Sequence, residues 1–302
     1  MMWAKEGISM DYVNCRLCPR QCGVNRSAGQ RGFCGCPDTA LVAKAMLHKW
    51  EEPALAGDGG SGAVFFGGCT LGCRYCQNAV ISGGPVGRPM ESGELRQLFE
   101  DLIAQGAENI DLVTPTHFLP TILPALKPRL SVPVVYNCGG YERAETLRAL
   151  EGSVDIYLPD FKYADARLAK ALSGAGDYFS VAAGAIREMV RQTGPVVWSG
   201  EKVTRGVIIR HLILPGNVDN SLRVLDWIGE TFAPGEVLVS LMRQYLPCND
   251  VSIKGLDRRI TPREYHRVRD HMIDLGLPGF LQEPDSASRD FVPVFNQPES
   301  FL

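Results

Sequence analysis

Three cysteines, Cys69, Cys73 and Cys76, follow an apolar run that ends at Phe66. Three thiolates at this spacing can bind three irons of a cube-shaped [4Fe–4S] cluster and leave the fourth iron without a protein ligand. Structural metal sites use all their coordination positions, whereas catalytic sites keep one for a substrate or cofactor. The three cysteines therefore predict a cluster that takes part in chemistry.

The motif from Cys69 to Cys76, Cys-Thr-Leu-Gly-Cys-Arg-Tyr-Cys, resembles the signature loop of the radical S-adenosylmethionine (SAM) superfamily. The resemblance implies that the open iron binds SAM, and that an electron from the cluster cleaves SAM to a 5′-deoxyadenosyl radical. That radical would take hydrogen from an unactivated carbon of a substrate. The resemblance also implies that Tyr75 lies beside the adenine, and that the core is a partial TIM-type barrel.

The elements that must position this loop follow a regular rhythm. From residue 62 onward, short apolar runs alternate with helical patterns, as is typical of βα units around a parallel sheet. Strands are predicted at 63–66, 110–113, 132–136, 154–158, 207–214 and 237–241, and the clearest helices at 94–105, 142–150, 219–231 and 262–275. The count favours an α/β fold with a partial (β/α)6 TIM-type barrel, although a doubly wound open sheet gives a similar pattern.

Three regions are predicted along the 302 residues. Residues 1–60 are interpreted as a Cys-rich, metal-binding N-terminal lobe, and residues 61–284 as the radical SAM partial barrel. Residues 285–302 carry Pro293 and Pro298 without a helical or strand period, and they are interpreted as an extended C-terminal tail.

Residues at the C-terminal ends of the predicted strands are candidates for binding SAM, because function collects at that edge in both architectures. These ends resemble those of pyruvate formate-lyase activating enzymes, as do segments before the first strand and after the third cysteine. The candidates are Thr114, Asn137, Asp160, Lys162 and Arg210.

The residue types suggest a role for each candidate. Lys162 and Arg210 would pair with the carboxylate of SAM, and Asp160 would accept from its ribose or amine. Thr114 or Thr116 would stand in, through a hydroxyl or a backbone carbonyl, for the Gly-Gly-Glu that many radical SAM enzymes carry at the second strand. Alternatively, Asp160 and Lys162 form an ion pair at the rim, and Arg210 is a charged residue near a strand start.

A monovalent cation beside SAM is an open question, because family members use a second Asp where this chain has Asn137. Other polar residues have less specific interpretations. We expect Glu51 and Glu52 to be solvated, with a position facing the substrate cavity as the alternative. His117 is expected to be a solvated or capping residue, with proton donation or ligation as the alternative.

A second set of cysteines, Cys15, Cys18, Cys22 and Cys34, supplies four thiolates for a closed metal site. Zinc and a second [4Fe–4S] cluster both fit this spacing, and Cys36 is an alternative to Cys34.

The first fifty residues hold seven Lys or Arg against three Asp or Glu. This bias would suit an acidic electron donor such as a reduced flavodoxin or ferredoxin, or it marks a solvated face.

Composition narrows the classes further. The formal net charge of -3 and the pI near 6.0 argue against general nucleic-acid binding. No apolar stretch is long enough to span a membrane, and the first residues lack an apolar signal core, so we predict a cytoplasmic protein. Nine of the ten cysteines fall in the first 138 residues in metal-like spacings, which favours reduced, metal-bound thiols over disulfides.

The first functional hypothesis is a radical SAM enzyme that reductively cleaves SAM and abstracts hydrogen from a substrate carbon. The resemblance suggests activation of a glycyl radical enzyme as the target reaction. A second hypothesis keeps this chemistry but assigns a small molecule or peptide as substrate. A third, from another class, is a non-catalytic zinc or iron–sulfur module that recognises protein or RNA.

Overall fold

The computed structural model describes residues 10–247, 255–282 and 295. Ten strands run through these residues, namely β1 (Ala40–His48), β2 (Ser61–Phe66), β3 (Arg88–Met90), β4 (Ile110–Val113), β5 (Val134–Cys138), β6 (Ile156–Pro159), β7 (Val197–Ser199), β8 (Lys202–Leu212), β9 (Leu238–Met242) and β10 (Gly279–Leu281). The same residues form nine α-helices, namely α1 (Pro53–Ala56), α2 (Ala79–Ser82), α3 (Ser92–Ala104), α4 (Leu119–Ala125), α5 (Ala144–Arg148), α6 (Ala166–Ser173), α7 (Tyr178–Thr193), α8 (Val218–Thr231) and α9 (Pro262–Asp274).

The strands form a largely parallel sheet in the order β10-β9-β8-β6-β5-β4-β2-β1-β3. Every pair from β2 to β10 along this order is parallel, and helices connect the consecutive strands. Strands β1 and β3 extend the β2 edge in antiparallel pairing, and β7 forms an antiparallel pair with β8. The predicted α/β class is confirmed, and the sheet is consistent with a partial TIM-type barrel.

All six predicted strands are present, with ends that differ by a few residues. The short β10 adds a further parallel strand after the sixth βα unit, and α7 is a helix that the sequence pattern did not indicate. Strand β1 lies inside the range predicted as the N-terminal lobe, yet it pairs with β2, for example Met46 with Ala63. The domain boundaries at residues 60 and 284 stay predictions.

The two faces of the sheet pack against different elements. One face carries the large apolar core shared with the long helices, including Leu98 and Phe99 of α3 and Ile186 of α7. On the other face, Ala54 and Leu55 of α1 belong to one buried cluster with apolar residues of β5, β6, β8 and β9, namely Val135, Ile156, Leu158, Ile208 and Leu238. Pro53 begins this helix at a position where its missing N–H costs nothing. Helix α1 therefore covers the inner face near the N-terminal ends of the strands.

The predicted tail, residues 285–302, lies outside the described residues except for Phe295. The ring of Phe295 packs against Phe65 of β2, with centroids 5.5 Å apart.

Candidate active site

The segment after β2 carries the three cysteines of the predicted cluster. Its turns depend on glycines, since Gly68 and Gly72 have φ angles of 76° and 64°, which disfavour residues with a side chain. A Cβ on Gly68 would also overlap with Cys36 Sγ, so the backbone passes directly against the N-terminal lobe. Leu71 is buried and anchors the segment in the core. We call residues 69–76 the cluster loop.

Each thiol of the cluster loop has a hydrogen-bond donor of its own. The amide of Leu71 donates to Cys69 Sγ at 3.3 Å, and Ser82 Oγ donates to Cys76 Sγ at 3.4 Å. Ser173 Oγ, at the end of α6, donates to Cys73 Sγ at 3.0 Å. Such donors stabilise thiolates and are the outer contacts that iron–sulfur ligands need.

Burial favours the protonated form of the Cys69 and Cys73 thiols. It raises the pKa of Cys69 to about 12, with the neighbouring Cys73 thiol adding to the effect, and it raises the pKa of Cys73 as well. Thiolates at such positions need a nearby positive charge, which bound iron would supply. The loop therefore fits a [4Fe–4S] cluster held by Cys69, Cys73 and Cys76.

Arg210 of β8 is the centre of a polar network on the inner face of the sheet. Its Nε donates to Asp160 Oδ1 at 2.8 Å, its Nη2 to Asn137 Oδ1 at 2.6 Å, and its Nη1 to Glu51 Oε1 at 3.3 Å. Lys162 Nζ donates to the other Asp160 oxygen at 2.5 Å. The structure thus brings together four of the residues predicted to bind SAM.

The charges in this network stabilise one another. Burial by itself would raise the pKa of Asp160, but Arg210 and Lys162 outweigh it and hold that pKa below its ordinary value. Burial would likewise lower the pKa of Lys162, yet Asp160 and the nearby Cys73 thiol raise it. Asp160 is therefore ionised and Lys162 charged, close to the cluster loop. Arg210 bridges Asp160 and Asn137 through its hydrogen bonds, and a monovalent cation beside SAM stays an open question.

Thr114 follows β4 and has an unusual backbone conformation. Its φ of 59° places a β-branched residue in the left-handed region, which sterics strongly disfavour. Its amide donates to the carbonyl of Asn137 at 2.8 Å, and this bond helps hold the conformation. Strained residues of this kind cluster at functional sites, so the position is consistent with the predicted contact to SAM.

Tyr75 lies inside the cluster loop and is only 5% exposed. Its hydroxyl accepts a hydrogen bond from Tyr163 at 2.9 Å, and the Tyr163 hydroxyl also lies 2.8 Å from Ser173 Oγ. Ser173 in turn donates to Cys73, so the three hydroxyls form a cluster beside a thiol of the cluster loop. Contact between Tyr75 and adenine stays a prediction.

The expectation that Glu51 and Glu52 are solvated is wrong. The Glu51 side chain is 10% exposed and bonded to Arg210, and Glu52 is 8% exposed. Burial raises the pKa of Glu52 to about 7, even though Arg210 opposes it. These carboxyls lie inside the barrel because α1, which directly follows them, packs on the inner face. Pro53 marks the start of that helix in the sequence, but it does not show where the helix docks.

Asp111 of β4 is a site residue that the sequence analysis missed. It is fully buried, and Asn137 Nδ2 donates to its Oδ2 at 3.2 Å. Burial, together with the facing Glu51 carboxyl, raises its pKa well above the ordinary value. Its other oxygen has no hydrogen-bond partner. The signal was a lone Asp within the apolar run 110–113.

His117 is not solvated either, since it is 2% exposed and its Nε2 lies 2.8 Å from the carbonyl of Gly67. A carbonyl accepts only, so Nε2 carries the hydrogen. Burial lowers the pKa of this imidazole, and the nearby Cys34 thiol opposes that shift. A neutral His117 therefore supports the start of the cluster loop from the lobe side.

Of the N-terminal cysteines, Cys15, Cys18 and Cys34 lie near one another. Cys15 and Cys34 are close enough to Cys18 to contribute to its raised pKa, for which burial is the main cause. The amide of Phe33 donates to Cys22 Sγ at 3.3 Å. Cys36 instead donates to the carbonyls of Cys34 and Gly67, at 3.3 and 3.4 Å, and so contacts the cluster-loop side. Within residues 10–247, 255–282 and 295, no three Cys, His or carboxylate groups meet at single-ion geometry.

Arg26 fixes the lobe to the sheet. It is 1% exposed, and it donates to the carbonyls of Pro37 and, at 2.5 Å, His117. Its guanidinium stacks over the ring of Tyr12 at 4.4 Å.

Across the described part of the chain, no helix has the length and apolar character that crossing a membrane requires.

No family model matches the chain. It is 28% identical over 269 residues to an uncharacterised protein of Methanocaldococcus jannaschii, covering 85% of this chain and 73% of the relative. Its fold is similar to that of a radical SAM methyltransferase from Sphaerobacter thermophilus, with a TM-score of 0.51, 15% identity and coverage of 73% of this chain. The chain spans 65% of that methyltransferase's length.

A spore photoproduct lyase is similar as well, with a TM-score of 0.50 and 10% identity over 80% of this chain and 79% of the lyase. The resemblance to pyruvate formate-lyase activating enzymes gains no support from these proteins and stays a prediction. Identities this low speak for architecture alone. Together with the parallel sheet and the position of the cluster loop, they show that the chain has the fold of radical SAM enzymes.

Proposed function

We propose that this protein is a radical SAM enzyme, which cleaves SAM reductively at a [4Fe–4S] cluster and abstracts hydrogen from a substrate carbon. One observation carries the proposal. The cluster loop, at the C-terminal end of β2, lies beside charged side chains from β6 and β8, with Lys162 close enough to influence Cys73. A non-catalytic zinc or iron–sulfur module has no need of this arrangement.

The chain's own residues have distinct roles in this proposal. Cys69, Cys73 and Cys76 hold the cluster, while Lys162 and Arg210 bind the SAM carboxylate, a planar anion suited to their charge-assisted hydrogen bonds. Asp160 and Asn137 orient these two cations and offer acceptors to the amine or ribose. Thr114 and Tyr75 border the ligand.

When bound, the cluster would supply one electron to the sulfonium of SAM. The products would be methionine and 5′-deoxyadenosine, the latter carrying one hydrogen atom taken from the substrate. That electron comes from a reduced flavodoxin- or ferredoxin-type protein, for which the positively biased N-terminal lobe is the proposed docking surface.

The target reaction that we propose first is activation of a glycyl radical enzyme, and the strand ends at Asn137, Asp160 and Arg210 support it by resemblance. A small molecule or peptide is the second candidate, and one observation favours it. The inner face carries buried carboxyls, with one Asp111 oxygen lacking a hydrogen-bond partner and the Glu51 carboxyl facing Asp111. An amine on a small substrate would pair with these carboxyls and stabilise their charged form.

The decisive experiment measures iron, zinc and 5′-deoxyadenosine under strict anaerobiosis. Wild type should hold about four irons in the loop cluster, in addition to any lobe metal, and should release the nucleoside from SAM when reduced by dithionite. A Cys69/Cys73/Cys76 triple alanine variant should lose both. Cys138→Ala, which removes a buried thiol outside the loop, is the matched control and should keep its iron.

Unchanged metal content in the triple variant, or zinc in place of iron, would contradict the proposal. Electron paramagnetic resonance then separates the two substrate classes. A glycyl doublet that appears only when a glycyl radical protein is added supports activation. Turnover of a small amine without such a protein supports the second candidate.

A further inference from the structure

Arg20 of the N-terminal lobe reaches across to the cluster loop. Its guanidinium donates to the carbonyls of Thr70 and Leu71, both at 3.1 Å, which belong to the loop. It also donates to the carbonyls of Ser173 at 2.7 Å and Gly174 at 2.8 Å, where α6 ends. The Arg20 side chain therefore connects the N-terminal lobe, the cluster loop and the end of α6, next to Cys69 and Cys73 in the loop.

Phe33, from the same lobe, covers the loop beside Arg20. The guanidinium stacks over the Phe33 ring at 3.9 Å. The edge of that ring lies 3.3 Å from where a Cβ of Gly72 would stand, so the loop glycine and the ring are in close contact. Because Phe33 is 52% exposed, burying it in the core does not explain its position.

Both residues are also tied to the second set of cysteines. The amide of Phe33 donates to Cys22 Sγ at 3.3 Å. Arg20 lies two residues after Cys18 in the chain. Arg20 and Phe33, whose side chains contact the cluster loop, are thus both held next to lobe cysteines.

We propose that Arg20 and Phe33 are positioning residues that make the N-terminal lobe a structural half of the cluster site. Through these two residues, the degree of structural order of the lobe thiols determines how firmly the cluster loop holds Cys69, Cys73 and Cys76 in place. The lobe thiols are those of Cys15, Cys18, Cys22 and Cys34. A thiophilic metal bound by the lobe, zinc or an iron–sulfur cluster, would fix this order. The inference deepens the proposed function and rests on it only for the identity of the loop's cluster.

The chemistry of the guanidinium explains why an arginine is needed. Its rigid planar fork can meet several carbonyls at once, whereas a lysine ammonium on a flexible stem cannot span them. The loop makes few backbone bonds of its own, such as Cys76 N to Cys73 O at 3.1 Å and Arg74 N to Leu172 O at 2.9 Å. Without Arg20, four carbonyls would lose their donor and the loop would open more often.

The test compares Arg20→Gln and Arg20→Lys with Arg31→Gln in the full chain under anaerobic conditions. Arg31 is the matched control, because it lies in the same lobe, is exposed, and bonds only to the carbonyl of Gln30. Hydrogen exchange is measured for amides 69–76, and iron release is followed in a chelator.

We expect Arg20→Gln to speed both processes at least tenfold, with Arg20→Lys intermediate and Arg31→Gln equal to wild type. Thermal unfolding monitors the fold of each variant, and Phe33→Leu, at an exposed position, provides a second probe that should also speed exchange. Wild-type exchange and iron release in folded Arg20→Gln and Phe33→Leu would overturn the proposal.

A third substitution tests the link to the lobe thiols. Cys22→Ser, at an exposed thiol, should speed loop exchange and iron release several-fold, and EDTA should have the same effect on wild type but not on this variant. If Cys22→Ser leaves the loop unchanged, the dependence on lobe thiols is overturned. Neither readout requires SAM cleavage, so a protein that fails to release 5′-deoxyadenosine still decides this inference.

Discussion

At the scale of single residues, Thr114 shows how the backbone stores strain beside the predicted SAM site. A β-branched residue in the left-handed region costs roughly 1–2 kcal/mol. The structure compensates in part through the bond from Thr114 N to the Asn137 carbonyl. The cost is understandable if the Thr114 side chain has a function that glycine lacks.

We therefore expect Thr114→Gly to keep or raise the free energy of unfolding, by up to about 1 kcal/mol, while weakening SAM binding several-fold. Chemical denaturation and calorimetric titration of the anaerobic protein measure the two effects. Thr204→Gly in the extended strand β8 is the control, and it should lose about 1 kcal/mol without affecting SAM. A Thr114→Gly protein that is clearly less stable and binds SAM normally would refute the functional interpretation.

At the scale of elements, α1 is a four-residue helix with a large structural role. Leu55 is 2% exposed and shares a cluster with residues of four strands, while the preceding Glu51 and Glu52 reach into the polar network. The helix thus connects apolar packing at one end of the sheet with charges deeper in the barrel.

Leu55→Ala should reduce the free energy of unfolding by about 3 kcal/mol, because it leaves a cavity between α1 and the sheet. Urea denaturation measures the loss, and Leu275→Ala, at a position 38% exposed, should cost well under half as much. Equal losses in the two variants would show that α1 does not pack as described. We also expect the pKa of Glu52 to fall toward its ordinary value as water enters.

Sequence alone could predict the parallel strands because fully buried strands are largely apolar runs, as in 63–66. It could also predict the cluster loop, since ligand spacing is local. It could not predict α7, whose buried face includes the small residues Ala182, Ala183 and Ala185, nor β1, an antiparallel strand between β2 and β3.

The polar network was only half accessible to sequence reasoning. Asn137, Asp160, Lys162 and Arg210 follow from strand ends, and the structure brings them together. Glu51 and Glu52 depend on how a short helix docks, which is a tertiary property that no local pattern encodes. Asp111 was visible as a charge in an apolar run, but its contact with Glu51 depends on that same docking.

At the scale of the whole molecule, buried titratable groups determine how stability changes with pH. His211 is fully buried, with Nδ1 2.6 Å from the Phe161 carbonyl and Nε2 2.8 Å from Ser221 Oγ. Burial lowers its pKa to about 4. Between pH 6.5 and 4, the unfolded chain therefore binds more protons at His211 than the folded chain does. The contribution of His211 to the free energy of unfolding is complete above pH 6.5 and is lost as the pH falls.

Two buried carboxyls act in the opposite direction. Burial raises the pKa of Glu52 to about 7 and that of Glu142 to about 8. The folded state binds more protons at these groups above pH 4.5, so their contribution is present below that pH and is lost as pH rises. The contribution of His211 to the free energy of unfolding must therefore be obtained as the difference between wild type and a His211 variant.

Between pH 7 and pH 4, the stability of wild type should fall relative to His211→Gln by about 3 kcal/mol. Urea denaturation of both proteins across this range, without oxygen, measures the difference. His266→Gln, at an exposed position of α9, is the control and should show no such divergence. Parallel profiles for wild type and His211→Gln would contradict the neutral, buried state of His211.

The position of α1 has a kinetic consequence. Among the described residues, this helix covers the inner face near the N-terminal ends of the strands, and we infer that small molecules enter from the cluster-loop end. A ligand that binds deeper than another ligand would then have to arrive first and leave last. We therefore expect ordered binding, in which an unreactive analogue of the outer ligand traps the inner one in place.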